Sequence, residues 1–312
     1  QAVLWAAFFN FMAYFISLYV VGEFKIGNTI AKTVTEDYIT LEVIFAGLIA
    51  AIAWNLVTWK FGIPSSSSHT LIGGFMGAAL THAFTTHDTL QGVINVAKVF
   101  PIVLFIFVAP LLGMIMAYLI TVAIMHICKK TTPHKADVWF RRMQLVSSAL
   151  FSLGHGANDA QKVMGIIGAA VIFYHVQAGD AEWIDSPDRF AHFVEEWGWV
   201  PLTSFIVIGL GTMSGGWKIV KTMGSKITKV TSLEGVSAET AGAITLYVAE
   251  HLGIPVSTTH TITGSIVGVG ITKRTSAVRW GVTVKLLWAW ILTIPISAIV
   301  AGIVYLVVTA FQ

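Results

Sequence analysis

Charge is scarce in this chain and cysteine nearly absent. Asp, Glu, Lys and Arg make up 11% of its 312 residues, under half of the roughly 25% carried by soluble domains. Hydrophobic residues reach 55% and mean hydropathy is +0.77. That balance excludes an ordinary soluble domain and leaves a multi-pass protein of the cell (plasma) membrane, in contact with the lipid bilayer. The lone Cys128 excludes an intrachain disulfide framework. A net charge of only +3 gives no ground for a nucleic-acid partner. No GxSxG elbow or paired acid is present to mark a hydrolase, so no enzyme is expected and no cofactor. The Phe and Trp content is read as lipid-facing and interfacial belt material.

What is present is a repeat. Gly253-Ile254-Pro255-Val256-Ser257-Thr258-Thr259-His260-Thr261 breaks an apolar run and leads straight into hydroxyls. Its twin is Gly62-Ile63-Pro64-Ser65-Ser66-Ser67-Ser68-His69-Thr70, and the match continues through Gly73/Gly264 and Gly77/Gly268. Pro disfavours helix in the residue before it and suits the first turn of a new one. Ser and Thr there satisfy orphan helix N–H groups. Each copy is therefore read as a broken helix whose free amides, hydroxyls and positive dipole end suit an anion. Matched discontinuous helices in two halves point to a transporter's central site.

Apolar runs at 3–21, 39–59, 99–127 and 282–308 are long enough to span a bilayer. The segments 129–142, 217–236 and 273–279 are basic and the 176–198 loop is acidic. The positive-inside rule puts the basic segments in the cytoplasm and the acidic one outside. Residues 237–271 then form a helical hairpin entering from inside, with Pro255 to His260 at its tip. The hairpin around Pro64, flanked by 22–38 and 85–98, enters from outside. The expected architecture is an all-α polytopic bundle of two inverted-topology repeats, each containing a helical hairpin. Residues 1–128 form the first repeat, 129–142 a basic cytoplasmic linker and 143–312 the second. The first repeat has no counterpart of 143–175, and the chain starts abruptly in apolar sequence. An N-terminal truncation of the first repeat is therefore expected.

That unmatched segment holds the sharpest site. Gly154-His155-Gly156-Ala157-Asn158-Asp159 interrupts apolar sequence, and an ionisable residue inside a span is a functional candidate by default. The two glycines are expected to loosen the helix and turn carbonyls inward. With the Asn158 amide and the Asp159 carboxylate, these are hard oxygen ligands for an alkali cation. Lys162 can pair with Asp159, as plain packing or to help neutralise an anion. A cation would offset the desolvation of a multivalent anion, so symport is expected. A carboxylate beside hydroxyls favours an oxyanion that still carries a proton, which ranks phosphate above sulfate. His69 and His260 are read as helix-end hydrogen-bonding residues, with a proton role as the alternative, since neither has a second ligand at metal spacing.

The stretches HGANDAQKVMG (155–165), GTMSGGWKIVKTMGSKIT (211–228), GIPSSSSHTLIGG (62–74) and GIPVSTTHTITGS (253–265) resemble the PiT family of inorganic phosphate transporters, bacterial type. The resemblance covers essentially the whole chain. It implies cation-coupled phosphate symport, inverted repeats and an Asn-Asp signature in each repeat. By that resemblance Ser66, Ser67, Ser68, Ser257, Thr258 and Thr259 hold phosphate. Asn158, Asp159, Ser68 and Thr259 hold the coupling cation. The first Asn-Asp signature is absent from this sequence. The coupling ion is sodium or a proton, because a buried Asp can serve either. Alternatives in view are a permease for sulfate or another oxyanion, a non-transporting phosphate sensor, and a channel. Small-residue faces permit a homodimer.

Overall fold

The computed structural model describes residues 1–86 and 89–311. His87 and Asp88, in the outer flank expected at 85–98, and the terminal Gln312 lie outside the described residues. Within them the chain is helical, with one isolated bridge between Val34 and Ile94.

Helix α1 (Ala2–Ile16) runs on through a π-turn, Ser17–Val21. Short α2 (Lys25–Ala31) precedes the first hairpin, α3 (Leu41–Phe61) and α4 (Ser67–Thr86). Long α5 (Val96–Ile127) carries Pro101 and Pro110 inside it. Then come α6 (Pro133–Gln177), the surface helices α7 (Ala181–Ile184) and α8 (Arg189–Glu196), and α9 (Trp199–Met213). Short α10 (Trp217–Lys221) precedes the second hairpin, α11 (Ser232–His251) and α12 (Thr258–Lys273). Long α13 (Trp280–Thr309), with Pro295 inside it, closes the chain. Among the described residues, four segments are long and apolar enough to cross a membrane: Ala2–Val21, Leu41–Phe61, Val96–Lys130 and Trp280–Thr309. They match the four runs expected from sequence. The chain folds as an all-α membrane bundle.

Two expectations need correction. The linker 129–142 is not a loop, because α6 already begins at Pro133, in the N1 position that proline suits. Nor is the helix interrupted at Asn158-Asp159. It runs unbroken for 45 residues, about 68 Å at 1.5 Å per residue. Gly154 and Gly156 serve packing instead. A Cβ at Gly156 would lie 2.3 Å from the Asn10 carbonyl oxygen of α1, and one at Gly154 would lie 3.1 Å from Leu246 of α11. A glycine inside a helix costs only about 1 kcal/mol against alanine, which close helix contact can offset. No carbonyl is freed there for an ion.

The hairpins hold the two halves together crosswise. In each, the second helix lies against the long helix of the other half, α4 on α13 and α12 on α5. The contacts recur at matched positions. A Cβ at Gly77 would sit 2.3 Å from Ala298, and one at Gly268 would sit 2.2 Å from Met114. In hydrocarbon no hydrophobic effect drives helices together, so close backbone approach of this kind carries much of the cohesion.

A second pairing, between the short helices and the hairpin turns, was not expected from sequence. On the first turn, Lys218 Nζ of α10 donates to the Lys60 carbonyl (2.9 Å) and Thr222 Oγ1 donates to the Gly62 carbonyl (3.3 Å). On the second, Lys25 Nζ of α2 reaches the His251 carbonyl (3.5 Å) and Thr29 Oγ1 donates to the Gly253 carbonyl (2.8 Å). A Lys and a Thr four residues apart thus cap both turns the same way. The missed signal was an alignment of residues 24–35 with 217–228.

Candidate functional site

Each hairpin turn is built from the same parts. The first helix ends at a glycine with positive φ, 66° at both Gly62 and Gly253, a conformation that favours glycine. An extended stretch with a buried proline follows, Pro64 or Pro255. The proline is not the first helical residue, as sequence had implied; that stretch keeps it three positions upstream. Ser66 and Ser257 are the caps instead. Ser66 Oγ accepts from the His69 amide (3.1 Å), and Ser257 Oγ from the His260 amide (3.3 Å). This leaves α4 and α12 with their positive ends at the turns.

The turns meet at the centre of the molecule, around Lys162 of α6. Its Nζ donates to Ser68 Oγ of the first turn (2.5 Å), to the Val256 carbonyl of the second (2.5 Å) and to Asp159 Oδ1 (2.8 Å). Ser68 Oγ in turn donates to the Val256 carbonyl (3.3 Å). The Lys162 side chain is 3% exposed and that of Asp159 is 13% exposed. Lys162 was expected to pair with Asp159 or help neutralise an anion; the structure pairs it with Asp159 and also makes it the link between both turns. Asn158 is fully buried, and neither its Nδ2 nor its Oδ1 has a partner. It lies one helical turn from Lys162 on the same face. Buried amide groups are ordinarily satisfied, so this is unused hydrogen-bonding capacity at the centre.

The histidines also meet. The rings of His69 and His260 lie 4.8 Å apart edge to face, and His260 stacks on Trp290 of α13 at 4.1 Å. Their backbone amides join the helix caps, but His69 Nδ1 and both ring nitrogens of His260 have no partner. The helix-end hydrogen bonds of these residues are therefore made by the backbone amides and not by these ring nitrogens. Each ring points across the hairpin contact rather than back to its own helix end. Among the described residues, no three His, Cys, Asp or Glu side chains are grouped to hold a metal.

The six hydroxyl candidates divide by exposure. Ser66, Ser68, Ser257 and Thr258 are buried, Thr259 is half-buried, and Ser67 is exposed. Ser67 lines a cavity of about 770 Å³ with Asn55, Ser65, His155 and Thr212. The cavity runs between α3, the first turn and α9, and leads toward α10. Behind the centre, Gln161 accepts from the Ile26 amide of α2 (3.0 Å) and donates to buried Glu250 of α11 (3.3 Å). This network ties α6 to both neighbours.

Fold and site together define an integral membrane protein whose buried polar centre lies between two hairpin turns, with a built-in cation and two helix N-termini turned toward it. Its family follows from comparison with known proteins. A model described as the phosphate transporter family matches residues 1–301, and the chain belongs to that family. It is 45% identical to a "Probable low-affinity inorganic phosphate transporter" of Rhizobium meliloti (strain 1021), over 97% of this chain and 84% of that protein. A protein of the same description from Bacillus subtilis (strain 168) is 40% identical, over 89% of this chain and 80% of its own length. Among solved structures, "The sodium-dependent phosphate transporter" superposes with a TM-score of 0.78 at 24% identity, covering 100% of this chain and 90% of that one. At that identity the likeness speaks for the fold alone. These relatives are transporters, in keeping with the expectation of no enzyme.

Proposed function

We propose that the chain carries inorganic phosphate by cation-coupled symport, through alternating access around the Lys162 centre. The observation that supports this most is the convergence of two capped helix N-termini, one from each hairpin, on a buried ammonium. That arrangement suits a small oxyanion. Phosphate would be held by Ser66, Ser67, Ser68, Ser257, Thr258 and Thr259, with unpartnered Asn158 as a further donor. Hydrogen phosphate can also donate to the Asp159 carboxylate, which sulfate cannot, and this ranks phosphate first.

Asn158, Asp159, Ser68 and Thr259 are the candidate ligands of the coupling cation, sodium or a proton. With no helix break at Asn158, any such ion would depend on side-chain oxygens, and Asp159 Oδ1, Ser68 Oγ and the Val256 carbonyl already hold the Lys162 ammonium. The two hairpins are read as parts of inverted repeats, residues 1–128 and 143–312. The crosswise packing and the matched Lys-Thr caps on both turns support that reading. The exposure of Ser67 in the cavity, against the burial of Thr258, fits a state open along one hairpin. Alternating access would expose the other turn in exchange.

Uptake of labelled phosphate into proteoliposomes tests the proposal, under an imposed sodium or pH gradient and with excess sulfate as competitor. Saturable, gradient-driven uptake unaffected by sulfate is the expected result. Competition by sulfate would reassign the substrate. Phosphate binding without flux in folded protein would make the chain a sensor, and linear non-saturating flux would make it a channel.

A further inference from the structure

The oxygens that an alkali cation would use beside Asp159 are already in use. We infer that the Lys162 ammonium occupies the place of a coupling alkali ion between Asp159 and the two hairpin turns, so that this position holds no sodium. The inference rests on reading this centre as the phosphate-transport site.

An ammonium has three donors and no acceptor. All three are spent here, on a carboxylate oxygen of α6, a hydroxyl of the first turn and a carbonyl of the second. These are oxygens of the kind that hard cations choose, drawn from three separate elements around one point. Two of them, Asp159 and Ser68, belong to the set expected to bind the coupling ion.

A mobile ion cannot share this point. At about 4 Å from a fixed positive charge in partly screened protein, a second monovalent cation loses on the order of a thousandfold in affinity. Moving the ammonium aside is no remedy. Its side chain is 3% exposed, and its attachment one turn below Asp159 keeps it in the same polar pocket. A tethered cation can balance the charge of Asp159 and bind the two turns together. It cannot leave with the substrate, so this position takes nothing from a sodium gradient.

A purely structural ion pair would use the same two residues, and sodium counting separates the two roles. Radiolabelled sodium bound per chain is measured on the purified full-length protein in phosphate-free buffer. The variants are Lys162→Met, which frees the oxygens and leaves Asp159 charged, and Asp159→Asn/Lys162→Met, which removes both charges. Lys162→Met is expected to bind about one more sodium per chain than the wild type, and the double variant to match the wild type. Equal stoichiometry in Lys162→Met and the wild type would overturn the inference. Should Lys162→Met fail to fold, the charge-neutral double variant still decides: fewer sodium ions than in the wild type would show that the native site holds one. Because phosphate is absent, the sodium counts decide where the ammonium stands and the flux assay decides the transport reading, so a failure of one is distinguishable from a failure of the other.

Discussion

The two hairpin turns share their backbone design and differ in their surroundings. Both have a left-handed glycine, a serine cap, a histidine inside the following helix and a Lys-Thr pair from a short helix on their carbonyls. Yet Ser67 faces an open cavity, while its counterpart Thr258 is 6% exposed. Ser68 receives the Lys162 ammonium through its side chain, whereas the second turn receives it through the Val256 backbone. Equivalent scaffolds thus hold an asymmetric centre. The symmetry lies in the supports and the asymmetry in the groups that face the Lys162 ammonium.

The largest effect is expected from unbalancing the centre. Asp159→Asn leaves the Lys162 ammonium without its anion, and breaking a buried pair costs about 3–5 kcal/mol. Phosphate uptake should fall by at least about a hundredfold. Near-normal uptake would show that the pair has no part in transport.

Next in size are the crosswise helix contacts. Gly77→Val and Gly268→Val each force a side chain into the facing backbone, at a cost of about 1–3 kcal/mol or more. Thermal melting in detergent should show similar losses for the two. A large loss in one and none in the other would break the equivalence of the hairpins.

The asymmetry of access is read by cysteine labelling on a Cys128→Ser background. Ser67→Cys should react with a small water-soluble thiol reagent on the order of tenfold faster than Thr258→Cys, since reactivity follows exposure. Equal rates would remove the difference between the turns. The smallest effects belong to the caps. Ser66→Ala and Ser257→Ala should each cost about 1 kcal/mol of stability, and unequal losses in chemical denaturation would mark one turn as the weaker support.

Much of this arrangement was legible in the residues themselves. The Gly-Ile-Pro turns announced two hairpins, because Pro and clustered hydroxyls inside apolar sequence have few other uses. The i, i+3 spacing of Asp159 and Lys162 announced their ion pair. Sequence reasoning misjudged Gly154 and Gly156, since a glycine that loosens a helix and one that admits a neighbouring backbone look alike until the neighbour, Asn10, is in view. It also missed the meeting of His69 with His260 and the reach of Lys162 to Val256. Both are contacts between distant segments that only the crossing of the hairpins brings about. The Lys25/Thr29 and Lys218/Thr222 caps were within reach of an alignment, but too short a signal to stand out beside the turns.

On the proposed reading, bound phosphate lies between the hairpin turns beside the Lys162 ammonium. Phosphorus–nitrogen dipolar recoupling in solid-state NMR tests it most directly, using lysine labelled with nitrogen-15 in membrane-embedded protein saturated with phosphate. The account predicts dephasing of one buried lysine resonance by bound phosphate, and loss of that resonance in Lys162→Met. Bound phosphate that dephases no lysine, or dephases one that persists in Lys162→Met, would contradict it.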